Sequence, residues 1–195
     1  KLVAEPVAHP IRAALVTKWD PLDPEPALRV LETWDGTLPR AVVEDLHASA
    51  VLPKLRRAVD AWVPALVSAT PAHVWLHPWL PRLGESLQSL WAPIRHKLGA
   101  ALAEWHPSDD SALRLLEPWR RAFEPRDWDA LLSRAVAPKL EHVLLAELVV
   151  DRDAGADAAA LAESQKAAPL RWVLRWERSM PAKKMVGLLE ACFFP

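Results

Sequence analysis

Chemistry in this chain has few places to reside. His73 and His77 stand four apart in HVWLH, a spacing that puts both imidazoles on one face of a helix, as paired zinc ligands require. The string lacks the glutamate of an H-E-x-x-H motif, places Trp75 between the two rings and runs at once into Pro78. No third ligand is apparent, so a capping or hydrogen-bonding role is the expectation. Ser108, Asp109 and Asp110, with His106 just before them, could supply a nucleophile and its helpers. The same residues make a helix N-cap, which uses Ser108 and both acids without further assumptions. The five glycines, at 36, 84, 99, 155 and 187, are all isolated, so there is no phosphate-binding loop. Cys192 is the lone cysteine and has no activating neighbour. This inventory points away from an enzyme and supplies no metal or cofactor motif.

Two further sets are better suited to binding. Trp75, His77 and Trp79 sit in a proline-bounded segment, HVWLHPWLP. They are candidates for docking a partner, or for a corner packed inside the fold. Arg171, Arg175 and Arg178 recur at helical steps, with Lys183 and Lys184 just beyond and Trp172 and Trp176 on the neighbouring face. Arginine beside aromatics suits nucleic acid. The alternative is a solvated helix face above a Trp-anchored core, which the net charge of −1 favours.

The elements that must carry these residues read as helices. The chain has 195 residues, 11 Trp, no Tyr, 19 Pro and only 5 Gly; scarce glycine with abundant Ala, Leu, Glu and Arg favours helix over hairpin. From Glu85 to Trp105 the apolar positions Leu87, Leu90, Trp91, Ile94, Leu98, Leu102 and Trp105 advance by threes and fours. Ala112, Leu116, Trp119 and Phe123 repeat the pattern between Asp109 and Phe123. A third run extends from Trp128 to Leu148. Trp34, Trp91, Trp105 and Trp119 fall on apolar faces and are expected in the core. Asp23-Pro24, Thr70-Pro71 and Ser108-Asp109-Asp110 predict helix starts. Pro53 and Pro138 fall inside periodic runs and predict a kink or a break at each. Residues 151–160, DRDAGADAAA, read as a loop. No apolar run approaches the ~18 residues that span a bilayer.

An internal repeat organises the rest. ALRVLETW at 27–34 matches ALRLLEPW at 112–119 in six of eight positions, at an offset of 85 residues. AVLPKL at 50–55 meets AVAPKL at 135–140 at the same offset. WDP at 19–21 meets WHP at 105–107, and PIR at 10–12 meets PIR at 93–95. The order is kept throughout. These matches predict an all-α chain of two duplicated multi-helix units, about 8–91 and 92–176, stacked as an elongated, superhelical array. Residues 1–195 then form one helical domain of a larger protein, since there is no initiator Met. Residues 177–195 are expected to run into a continuation beyond Phe193-Phe194-Pro195.

The strings HVWLHPWLPRLG (73–84), LWAPIRHKLGAALAEWHPSD (90–109), LLEPWRRAF (115–123), VAPKLEHVLLAELVV (136–150) and MVGLLEACFFP (185–195) carry a resemblance. Together they resemble the C-terminal region of the septin-and-tuftelin-interacting proteins, the GC-rich sequence DNA-binding factor-like domain, over residues 9–195. The resemblance implies a nuclear pre-mRNA splicing protein that acts in disassembly of the intron-lariat spliceosome with a DEAH-box RNA helicase. It implies spliceosomal proteins as partners. The helicase would be engaged mainly through a glycine-rich G-patch outside this chain. This region would be a non-catalytic docking scaffold without a cofactor; an RNA- or DNA-binding module using the basic face is the alternative.

Overall fold

A computed structural model describes residues 4–64, 70–147 and 168–193. Every regular element among them is helical. The chain divides into two compact units, Lys1–His96 and Lys97–Pro195.

In the first unit, α1 spans Ala4–Thr17, α2 Glu25–Thr33, α3 Arg40–Leu46 and α4 Leu52–Ala61. Between α3 and α4, residues His47–Val51 form a π-helical turn, in which the Leu52 amide donates to the His47 carbonyl. This is how the chain accommodates Pro53. The widened turn places the imino acid in the first turn of α4, where a missing N–H costs little. The expected kink is therefore a change of helical pitch. The unit continues with α5, Ala72–Leu76, a 3-10 turn at His77–Trp79, α6 at Leu80–Leu83 and a second 3-10 turn at Gly84–Leu87. Gly84 closes α6 with φ +45°, a left-handed conformation that disfavours side chains even though the space around it is open. The core holds Leu15, Trp19, Leu46, Leu55, Trp75 and Trp79.

The division between the units falls inside α7, Gln88–Ala101. In the second unit, α8 spans Ser111–Leu116, followed by a 3-10 turn at Glu117–Trp119; α9 spans Pro125–Ala135 and α10 Ala137–Glu147. The run from Trp128 breaks at Val136, φ −113° and ψ −55°, so Pro138 again enters the first turn of a new helix. The helices α11, Ala168–Leu174, and α12, Ala182–Phe193, both pack against α10. Leu98, Leu102, Leu116, Trp119, Leu132 and Leu140 are buried, as their periodicity predicts.

Several expectations are corrected. The helix read from Glu85 to Trp105 is shorter, a 3-10 turn then α7, and it contains Pro93, as α1 contains Pro10. Asp23 caps nothing: α2 begins at Glu25 after Pro24, without a side-chain cap, and α5 begins after Pro71 in the same way. Trp34 is half-buried at the end of α2, whereas Trp91, Trp105 and Trp119 are buried. The loop read at 151–160, Leu148 and the Phe194-Pro195 end lie outside the described residues.

Candidate functional site

Helix α5 and the 3-10 turn after it bring His73 and His77 side by side, ring centroids 5.7 Å apart. Burial lowers the pKa of both. His77 is pushed down to about 4, first by burial and then by the neighbouring His73. The pair is neutral near pH 7. Among the described residues no third His, Cys, Asp or Glu joins them to make a metal-binding group.

Trp75 and Trp79 are wholly buried. Of the two placements that the sequence leaves open, the internal one is realised, and neither indole offers a surface to a partner. Trp79 lies 5.2 Å from Trp19, with the rings tilted by 57°. Its Nε1 and that of Trp75 find no acceptor among the described residues. His47, at the head of the π turn, also has its pKa lowered, by burial and then by Arg82. Arg82 is only 17% exposed in its side chain and lies 3.6 Å from both Glu32 and Asp35.

A lysine fastens each unit. In the first, Trp19 Nε1 donates to the Asp23 carbonyl at 2.8 Å. Lys54 Nζ donates to the carbonyls of Leu15 and Val16, both at 3.0 Å, and of Trp19. In the second, Trp105 Nε1 donates to the Asp109 carbonyl at 2.8 Å, while Lys139 Nζ donates to the carbonyls of Ala103 at 2.6 Å and Trp105 at 2.7 Å. The acceptors lie at or just past the C-termini of α1 and α7, where carbonyls lack partners and the helix dipole favours a cation. Each indole also meets a second Trp: Trp19 meets Trp79, and Trp105 meets Trp176 at 5.5 Å.

The Ser108 region divides into two parts. Asp109 accepts from the Ser111 amide at 2.8 Å and from the Ser111 hydroxyl at 2.5 Å. Those two bonds hold its carboxyl below the usual range. The residue that stabilises the start of α8 is thus Asp109, one position before the N-cap, and Ser108 takes no part. Ser108 Oγ lies 2.8 Å from His106 Nδ1, and His106 Nε2 lies 3.2 Å from Glu147 Oε1. A serine, a histidine and a carboxylate in line have the connectivity of a hydrolytic triad. All three are exposed, however, and the Ser108 amide shares the same Nδ1 at 3.3 Å. Water solvates the nucleophile, and the geometry is that of a local turn tied to the end of α10. Trp172 stands edge-on to the His106 ring at 5.7 Å.

Of the basic set, Arg171, Arg175, Arg178 and Lys183 are exposed. Lys184 is not part of that surface. It is half-buried, and its Nζ bonds Ser133 Oγ and lies 3.4 Å from the Asp129 carbonyl, which ties α12 to α9. Trp176 is buried and Trp172 half-buried. Sequence reasoning missed Lys54, Lys139, Arg82 and Glu147. It also missed the bond from Trp128 Nε1 to the Ser179 carbonyl at 2.8 Å, beside Ser179 Oγ donating to Glu117 at 3.0 Å. For the two lysines a signal existed, because each is the K of the P-K-L shared by the two matched strings.

These features define an all-helical protein whose tryptophans are largely spent on its own packing. The chain belongs to the GC-rich sequence DNA-binding factor-like family, whose profile matches residues 1–195. It is 39% identical over 186 residues to a tuftelin-interacting protein 11 of Danio rerio, covering 95% of this chain and 21% of that protein. With the protein of the same name from Bos taurus it shares 36% identity over 186 residues, again 95% of this chain and 21% of the relative. With that of Sus scrofa it shares 37% over 181 residues, 93% and 20%. The chain spans about a fifth of the length of these curated relatives.

Proposed function

We propose that this chain is a protein-docking scaffold of a nuclear pre-mRNA splicing factor. In this reading the full-length protein acts in disassembly of the intron-lariat spliceosome with a DEAH-box RNA helicase, which it engages mainly through a G-patch outside these residues. Membership of the family supports the setting, and the name of the relatives, tuftelin-interacting, supports partner binding by proteins of this kind. The observation that carries the scaffold reading is where the functional side chains go. Trp75 and Trp79 are buried, Lys54 and Lys139 bind backbone, and His73 and His77 are held neutral. What remains exposed is charge mixed with single apolar residues such as Leu145 and Leu174, a surface suited to docking.

The paired lysine clasps support a second inference, that the two units are copies of one ancestral unit. The elongated stack that a duplication implies is tested by small-angle scattering. Crosslinking mass spectrometry of the full-length protein in purified splicing complexes tests the docking reading. Crosslinks from residues 1–195 to spliceosomal proteins are expected. Crosslinks mainly to RNA would replace this reading with the nucleic-acid one, for which the exposed Arg171, Arg175 and Arg178 are the supporting observation.

A further inference from the structure

The exposed side of α11 and the turns after it combine charge with one apolar residue. Pro169, Val173, Trp176 and Met180 face inward, at steps of three and four. Arg171, Leu174, Arg175 and Arg178 take the complementary exposed positions, and Leu174 is 43% exposed. Arg171 lies in the last turn of α11, and Arg175 and Arg178 in the turns that follow it. Lys183, beyond Pro181, extends the positive charge, and Glu177 is the one exposed acid among residues 171–183.

A nucleic-acid strand would need phosphate contacts along this row and a π-face for its bases. Trp176 is buried against Trp105 and offers no face; Trp172 is half-buried and meets the His106 ring in a T-shaped contact. Lys184 is turned inward onto α9. A phosphate strand laid over the row would also set its charge against Leu174. An acidic peptide matches the row more closely, because carboxylates meet the guanidinium groups while an apolar side chain covers Leu174.

We propose that this face docks an acidic peptide segment of a partner protein, with Asp or Glu flanking an apolar residue seated on Leu174. The proposal rests on the protein-docking reading above and names its surface and the chemistry of its partner. Arg175 and Arg178 supply the pairing charges, and Leu174 sets the register.

The test pans a phage-displayed random dodecapeptide library on the 195-residue chain and on its R175E/R178E variant. Both changes are at exposed positions, and circular dichroism verifies the fold. The expected outcome is an acidic consensus with a central apolar residue. Its synthetic fluorescein-labelled form should bind the chain and lose at least tenfold in affinity to R175E/R178E and to L174S. A labelled dodecamer of oligouridylate should bind more weakly than the peptide. The proposal is overturned by a neutral or basic consensus, by no enrichment, by equal affinity for chain and variants, or by tighter binding of the oligonucleotide. Crosslinking of full-length R175E/R178E separates the two levels. Protein crosslinks that persist unchanged sink this face and leave the docking reading intact; RNA-only crosslinks of the unmodified protein sink the docking reading itself.

Discussion

Replacing Lys139 by Met keeps most of the aliphatic stem and deletes the ammonium. The group donates to the carbonyls of Ala103 and Trp105 at 2.6 and 2.7 Å, just past the end of α7. A hydrogen bond with one charged partner contributes about 1.5–3 kcal/mol, and a cation at a helix C-terminus contributes some tenths more. Water reaches the half-buried lysine and can satisfy part of what is lost, so the expected net cost is about 2 kcal/mol. For a chain of this size that lowers Tm by about 4–8 °C. Lys54→Met removes three such bonds from the first unit and should cost a similar amount. The two clasps share no acceptor, so the double variant should be additive within ~0.5 kcal/mol. Urea titration followed by tryptophan fluorescence measures all three variants. High salt is a further control. Backbone carbonyls carry no net charge, so 1 M NaCl should leave most of the difference in place, whereas a surface ion pair would be screened. A loss below ~0.5 kcal/mol in either single variant refutes the clasp. So does a loss that salt abolishes.

Two other expectations follow from the buried histidines and from the Ser108 turn. His77 titrates near 4 when folded and near 6.5 when unfolded, so between those values the unfolded chain binds more protons. Stability is then greatest above pH 6.5 and falls as pH drops toward 4, by no more than ~2 kcal/mol once the partial exposure of the ring is discounted. His77→Gln should flatten that slope in urea titrations at pH 4.5 and 7.5, and an unchanged slope would show that other groups cause it. A fluorophosphonate probe should not label Ser108, and Ser108→Ala should change stability by less than ~0.5 kcal/mol; labelling that S108A abolishes would establish an activated serine.

The helices were legible because the code for burying one face is local. Leu90, Ile94 and Leu98 announce α7 by spacing alone, and Pro138 announces the break at Val136. The errors arose where tertiary packing decides. Pro93 lies within α7 although its ring removes a backbone donor, since buried Trp91 and Ile94 on either side hold the helix together. Asp23 had the residue type for a cap, but the Trp19 indole binds its carbonyl. Trp75 and Trp79 could not be assigned to the inside or the outside from a proline-rich string. Lys184 looked like one more surface cation until Ser133, 51 residues away in sequence, supplied its partner. The clasps were hidden for the same reason, with acceptors 34 to 39 residues before each lysine. Only the recurrence of P-K-L hinted that the lysine mattered.

That separation has a kinetic consequence. Lys54 reaches back 35 residues to Trp19 and Lys139 reaches back 34 to Trp105. Loop-closure entropy depends only on the logarithm of loop length, so the chain pays nearly the same entropic cost twice. Neither closure waits on a contact from the far end of the chain. The earlier clasp can therefore form on a nascent chain before the later one has been synthesised.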